Sequence, residues 1–310
     1  MEQALAFPKT NSLFLNDSVE RFYQNLLDRL SQKKLSWEQF LLKVEDPLSA
    51  SRISTHLGRT LLHLAVLENQ IDLIHTLRKD TSLFIRRDNF GLSPIELAQF
   101  LNRREALKLL CPLAEISTFP DLPKLEEFQY LSHPIFETQE GLEQVLSLTA
   151  KAKKEDKIPA EKIWMGIYFD KEIRKGIHPP ISIRHIDSEL GYGVFADKKI
   201  APCTFVGEYT GVIQERKPKQ LRGKLHCLRY TMWDGKKNFT VNAEEKGNFT
   251  RFINHSSKPN LGLQSIYWRG IPRMIFVALK EIREGGQLTF DYGPLFWKEV
   301  KQTPKILDED

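Results

Sequence analysis

Cysteine is scarce in this chain of 310 residues. The three that occur, Cys111, Cys203 and Cys227, lie far apart and form no CxxC pair. That argues against a zinc cluster or a disulfide framework, so no metal is expected, and it fits a reducing compartment. No apolar run is long enough to span a bilayer, so no membrane is expected as a partner. The opening MEQALAFPKTNSLFLNDSVE has an acidic second residue and no basic stretch ahead of an apolar core, so no secretory signal is expected. Charge of one sign is not in large excess either, at +5 overall. The basic run ERKPKQLRGK at 215–224 could touch phosphates, but it reads more readily as a solvated loop. With no zinc-finger or basic-zipper pattern, direct nucleic-acid binding is not expected. What is present is ordinary globular material, 41% hydrophobic and 27% charged, with length enough for two domains.

The first half reads as helical. Residues 17–31 place Val19, Phe22, Tyr23, Leu26, Leu27 and Leu30 on one stripe of period 3.6. A second helix over 36–45 opens with a capping-box signal, Ser36 followed by Gln39. An internal repeat comes next: GRTLLHLAVLENQIDLIHTL from Gly58 and GLSPIELAQFLNRREALKLL from Gly91. Thr60 faces Ser93, Leu64 faces Leu97 and Ala65 faces Ala98 across the two copies. Period and pattern resemble ankyrin repeats over 51–112, although Glu96 stands where that family has His and Leu61 where it has Pro. Three repeats are usually needed for stability, so residues 1–50 are expected to act as a helical cap. The resemblance implies a protein partner held by the repeats.

A proline-bearing boundary at 111–125 leads to a helix through TQEGLEQVLSLTAKAKKEDK, within a linker assigned to 113–180. From Ile181 the texture changes to short β-branched and aromatic segments separated by turn signals, which predicts a β-rich unit over 181–297 and a tail at 298–310. The predicted class is α+β.

Four segments of this unit carry chemistry: LGYGVFA from Leu190, TFVGEYTGVI from Thr204, RFINHSSKPN from Arg251 and QLTFDYGPLFW from Gln287. The third is the least expected, because consecutive Asn, His and Ser side chains are costly to bury unless something satisfies them. A surface turn would explain it, and so would a turn that holds a polar ligand. Taken singly, Tyr292 reads as a half-buried sheet tyrosine and His255 as a satisfied turn histidine.

In order and spacing the four segments resemble the SET family of protein lysine methyltransferases. The FDYG…FW ending and the upstream repeats resemble the histone H3 lysine-9 branch, and ankyrin–SET combinations in compact proteins of intracellular bacteria. The resemblance implies a β-rich fold with a threaded pseudoknot and S-adenosylmethionine as cofactor. It implies cofactor contacts from Leu190, Gly191, Tyr192, Gly193, Tyr230, Asn254, His255 and Phe296, a substrate channel lined by Tyr230, Phe290 and Tyr292, and catalytic roles for Tyr292 and Tyr230. Asp291 is expected to bond its own turn. The implied substrate is a protein lysine, a histone tail first, acting in the nucleus or on chromatin, in a host nucleus for a bacterial protein. Alternatives are a non-histone target, or an inactive fold serving as an interaction scaffold. Two departures stand out: the lysine-9 branch's flanking cysteine clusters are missing, so Phe296, Trp297, the tail or another chain must close the channel, and Gln287 stands where the family has Glu.

Overall fold

The computed structural model describes residues 17–44, 46–111, 128–216, 225–230, 232–233, 239–294 and 296–297. Residues 217–224 of the basic run and the tail from 298 lie outside these. Seven helices come first: α1 (Asp17–Ser31), α2 (Trp37–Lys43), α3 (Pro47–Ser51), α4 (Leu61–Leu67), α5 (Ile71–Leu77), α6 (Pro94–Phe100) and α7 (Arg104–Leu110). Leu26, Leu27 and Leu30 of α1 enter the core, but Phe22 stays half exposed and only leans on Tyr23. A stripe can be wider than the surface available to cover it. The capping box of α2 forms as expected, with Gln39 N–H on Ser36 Oγ at 3.2 Å and Ser36 N–H on Gln39 Oε1 at 3.1 Å.

The repeat has a structural counterpart. Gly58 and Gly91 both take positive φ, and the bonds Thr55 N–H to Arg59 O and Asp88 N–H to Leu92 O recur in register. His63 Nδ1 accepts the Thr60 N–H at 3.1 Å, as Glu96 accepts that of Ser93 at 2.9 Å. Glu96 therefore performs the same capping task as the histidine it replaces. His63 also bridges to the second copy through Leu92 O at 3.1 Å.

The β-rich part begins earlier than the sequence texture. Strands β1 (Gln129–Tyr130) and β2 (Ile135–Phe136) precede α8 (Gln139–Lys154), α9 (Ala160–Tyr168) and α10 (Asp170–Lys175). Then follow β3 (Ile181–Asp187), β4 (Gly191–Ala196), β5 (Phe205–Glu208), β6 (Val212–Glu215), β7 (Cys227–Tyr230), β8 (Phe239–Asn242), β9 (Lys246–Gly247), β10 (Asn254–His255), β11 (Leu261–Trp268), β12 (Ile271–Ala278) and β13 (Thr289–Phe290). They form small sheets in the orders β2-β6-β8-β7, β11-β12-β5, β3-β4, β1-β9 and β10-β13. The strands β1 and β2 pair in parallel with β9 and β6, so the stretch read as linker contributes to these sheets.

The helical and β-rich parts share one core. Arg59, itself buried, reaches Asp88 at 3.3 Å and Glu143 of α8 at 2.7 Å. Arg269, in the β11–β12 turn, pairs with Glu96 of α6 and with Asp170 at the start of α10. Arg273 of β12 forms a two-point buried ion pair with Glu208 of β5 and lies over the Phe100 ring at 5.3 Å. Removing one member of such a pair leaves a buried charge and costs about 3–5 kcal/mol.

Burial holds His63 neutral and lowers its pKa to about 4, and His133 and His226 are lowered similarly. The unfolded chain takes up the His63 proton near pH 6.5, the folded chain only near 4, so folding is favoured above that window and weakened as pH falls through it. His63→Gln keeps a capping-box residue while removing the titration. From pH 6.5 to 4, wild type should lose stability relative to His63→Gln by up to about 1.4 kcal/mol per unit in urea unfolding. A difference that does not vary with pH would contradict the assignment.

Candidate active site

The polar turn that follows Ile253 is not an exposed loop. Strand β10 pairs in parallel with β13, Asn254 opposite Thr289 and His255 opposite Phe290. On its other side Asn254 Nδ2–H donates to Tyr192 O on β4 at 3.1 Å. The turn is thus held between two distant stretches of chain. His255 Nδ1 accepts the Tyr292 N–H at 3.2 Å. Burial lowers the His255 pKa, with Asp291 and the Phe290 backbone opposing. Nδ1 thus serves as an acceptor in this arrangement. Ser256 Oγ accepts the Lys258 N–H at 3.0 Å, and Asp291 Oδ1 accepts the Gly293 N–H at 2.8 Å, the local turn bond expected of it.

Asn260, which the motif reading passed over, locks this arrangement. Its Nδ2–H donates to Gln287 O at 2.7 Å and its Oδ1 accepts the Thr289 N–H at 2.9 Å, while its own carbonyl accepts the Leu279 N–H. One side chain thereby ties the segment before β11 to the start of β13.

Tyr292 lies at the centre of an aromatic cluster. Ring centroids of Phe290 and Phe296 are each 4.7 Å away, His255 is at 5.4 Å, and Trp297 stacks on it at 5.9 Å with 13° between planes. Phe276 of β12 supports Phe290 from behind at 4.9 Å. The Tyr292 hydroxyl donates to Ile253 O at 2.9 Å, and burial raises its pKa far above the usual phenol value. It is a fixed neutral hydroxyl with lone pairs free to accept, unsuited to work as a phenolate base.

Not every expected residue joins the cluster. Tyr230 is buried on β7, and its hydroxyl is committed to Pro272 O on β12. Tyr209, in the segment between β5 and β6, is the tyrosine that the sequence reading missed. Burial first, then the nearby Cys227 and Tyr292, hold its phenol well above the ordinary value, and its hydroxyl donates to His226 O at 2.9 Å. Its position in GEYTG was the available signal, but a sequence offers no reason to favour it over any other sheet tyrosine.

The cradle beside Asn254 has the features a polar ligand needs. Gly191 has φ +69 with open space where a Cβ would stand, and Tyr192 lies next to it. Leu190 N–H is bonded back to Asp187 Oδ1 at 2.6 Å, which fixes the turn. At Gly193 a Cβ would meet the Gln287 and Ile186 side chains, each at 2.7 Å, so those side chains pack directly against the glycine. Gln287 Nε2 and Trp297 Nε1 are buried donors without a hydrogen-bond partner among the described residues. Unfilled donors of this kind fit a ligand that presents acceptors.

Residues 191–293 match the family model described as SET domain. The matched stretch runs from Gly191 to Gly293 and encloses the whole pairing described above. A histone-lysine N-methyltransferase, SUV39H1 of Xenopus laevis, is 33% identical over 132 residues, which are 40% of this chain and 31% of that protein. The H3 lysine-9 specific SUVH5 of Arabidopsis thaliana is 36% identical over 107 residues, 33% of this chain and 13% of that one. SETD2 of Homo sapiens, also a histone-lysine N-methyltransferase, is 34% identical over 119 residues, 35% and 5% of the two chains. The chain spans about a third or less of the length of these curated relatives. Among the described residues no helix is long and apolar enough to cross a membrane, and no group of side chains is placed to hold a metal.

Asn260→Ala should leave the Thr289 N–H and the Gln287 carbonyl unpaired, at a cost of about 1–3 kcal/mol. Amide exchange at 288–291 should accelerate much more than exchange in β12. Equal acceleration in both, or none, would show that Asn260 does not hold the β10–β13 pair.

Proposed function

We propose that this chain is an S-adenosylmethionine-dependent protein lysine methyltransferase whose first substrate class is the histone tail. One observation carries the reading: a single two-residue strand pair sets the polar Asn254–His255 turn beside a tyrosine enclosed by aromatic rings. One side suits a polar donor molecule and the other suits an apolar channel for an alkyl amine. The sequence relatives named above support the same chemistry.

S-adenosylmethionine, when bound, supplies an activated methyl group on a sulfonium. Leu190, Gly191, Tyr192 and Gly193 would hold it through close backbone, Asn254 and His255 through the turn, with Phe296 beside them. Tyr230 is left out of the wall between cofactor and substrate, since its hydroxyl is fixed on Pro272 O away from the aromatic cluster. Methyl transfer needs a neutral amine in line with the breaking bond. Neutralising a free lysine at pH 7 costs about 4.6 kcal/mol, and an apolar channel lowers that by destabilising the ammonium. Phe290, Phe296 and Trp297 provide such walls, and aromatic faces also tolerate a methylated cation. Tyr292 remains protonated, so it orients the amine by accepting an N–H while its own O–H stays donated to Ile253 O. The amine's proton leaves to solvent before transfer. In this reading the Phe296–Trp297 pair closes the channel that cysteine clusters close elsewhere.

The paired helices α4–α7 are assigned to ankyrin-like repeats that hold a protein partner, and the histone substrate class implies action on chromatin. Phe290 sets the product in this reading. A phenylalanine leaves room for the amine to turn and for further methyl groups to enter, giving the di- and trimethyl products.

Labelled methyl donor should be transferred by the full chain to core histones. Tyr292→Phe should lower the rate about a hundredfold or more, and Phe290→Tyr should shift the products towards monomethyl-lysine by mass spectrometry. Absence of transfer to histones and to cell-extract proteins would overturn the enzyme reading. A wild type that stops at one methyl with donor in excess would overturn the role of Phe290.

A further inference from the structure

The helix pair α9–α10 carries a surface unrelated to the candidate active site. Phe169 N–H bonds to Met165 O and Ile173 N–H to Phe169 O, so the two helices run on almost without a break. Their inner side is fully used. A Cβ on Gly166 would lie 1.8 Å from Tyr267 O, so α9 touches the β11 backbone directly. Phe169 and Ile173 are buried, Lys162 Nζ donates to Gln264 Oε1 at 2.7 Å, and Trp268 Nε1–H donates to Asp170.

The outer side is equally apolar. Trp164, Ile167 and Tyr168 are 68%, 62% and 78% exposed. They stand at i, i+3 and i+4, so they form one contiguous ridge. A helix that packs by one face ordinarily presents charged side chains on the other. Three large apolar side chains exposed along one helix face mark a surface used for binding. The stripe then changes character: Lys171 and Lys175, one and two turns further on, are exposed and without an ion-pair partner among the described residues. At the opposite end the stripe is bordered by Glu161, which is exposed and pairs with Lys162 at 3.1 Å.

The geometry points to a docking site for an amphipathic helix of a partner protein, with apolar side chains over Trp164, Ile167 and Tyr168 and carboxylates over Lys171 and Lys175. The distribution of charge selects this occupant. From Trp164 to Lys175 the stripe extends roughly 16 Å, about three turns of a facing helix. Nucleic acid would use the lysines but would leave the ridge uncovered, and its phosphates would meet Glu161. An anionic bilayer would meet the same carboxylate at the edge where the ridge would have to sink. The site is a small one, so the complex is transient, with affinity dominated by the aromatic anchors.

The test uses the full chain and two synthetic helical peptides of about sixteen residues. One carries leucine and phenylalanine on one face followed by glutamates on that face, and the other has lysines in place of the glutamates. Fluorescence anisotropy should show the acidic peptide binding at least tenfold more tightly. Trp164→Ala should weaken it at least tenfold with the melting temperature unchanged. The double variant Lys171→Glu, Lys175→Glu should reverse the preference in favour of the basic peptide. Equal binding of the two peptides, or binding indifferent to Trp164→Ala, would overturn the proposal. So would tighter Trp164-dependent binding to phosphatidylserine vesicles, to duplex DNA, or to a second copy of the chain in sedimentation.

Discussion

The parallel pairing of Asn254–His255 with Thr289–Phe290 is the constraint on which the rest of the site depends. Two residues per strand are far too few to be stable alone. The pair survives because its margins are fixed by side chains: Asn260 ties 287 and 289, His255 accepts the Tyr292 N–H, and Asn254 reaches across to Tyr192 O. Each of these polar groups would be a liability if buried alone. These bonds use Asn254 Nδ2–H, His255 Nδ1 and both ends of the Asn260 amide, so the turn is fixed in place by the protein itself.

Beneath this pair, β12 is buried along nearly its whole length and is the common support. Its Phe276 holds Phe290, its Pro272 carbonyl takes the Tyr230 hydroxyl, and its Arg273 pairs with Glu208 while lying over Phe100 of α6. The turn before it is gripped by Glu96 and Asp170 through Arg269. The repeat helices therefore share a load path with the aromatic cluster. Their contribution to rigidity cannot be separated from any part they play in recognition.

How much of this was legible in the sequence depends on how local the determining physics is. The capping box at Ser36, the helix behind Thr138 and the β texture beyond Ile181 follow from short-range chemistry, and they were readable. The FDYG and FINHS segments announced a polar turn and an aromatic end, but not that one strand pair joins them. Asn260 and Tyr209 escaped notice because their roles arise from partners 17 or more residues away. The strands β1 and β2 are too short to leave a period. Phe22 erred in the other direction, since a stripe shows which side chains could be covered and not how far the neighbouring surface extends.

We propose above all that the Asn254–His255 turn holds a polar methyl donor beside Tyr292. Isothermal titration of the full chain with S-adenosylmethionine, repeated on Asn254→Ala, addresses it most directly. One binding site in the wild type, weakened at least tenfold in a variant that still melts cooperatively, is the predicted result. No binding to the wild type, or equal binding to both proteins, would contradict it.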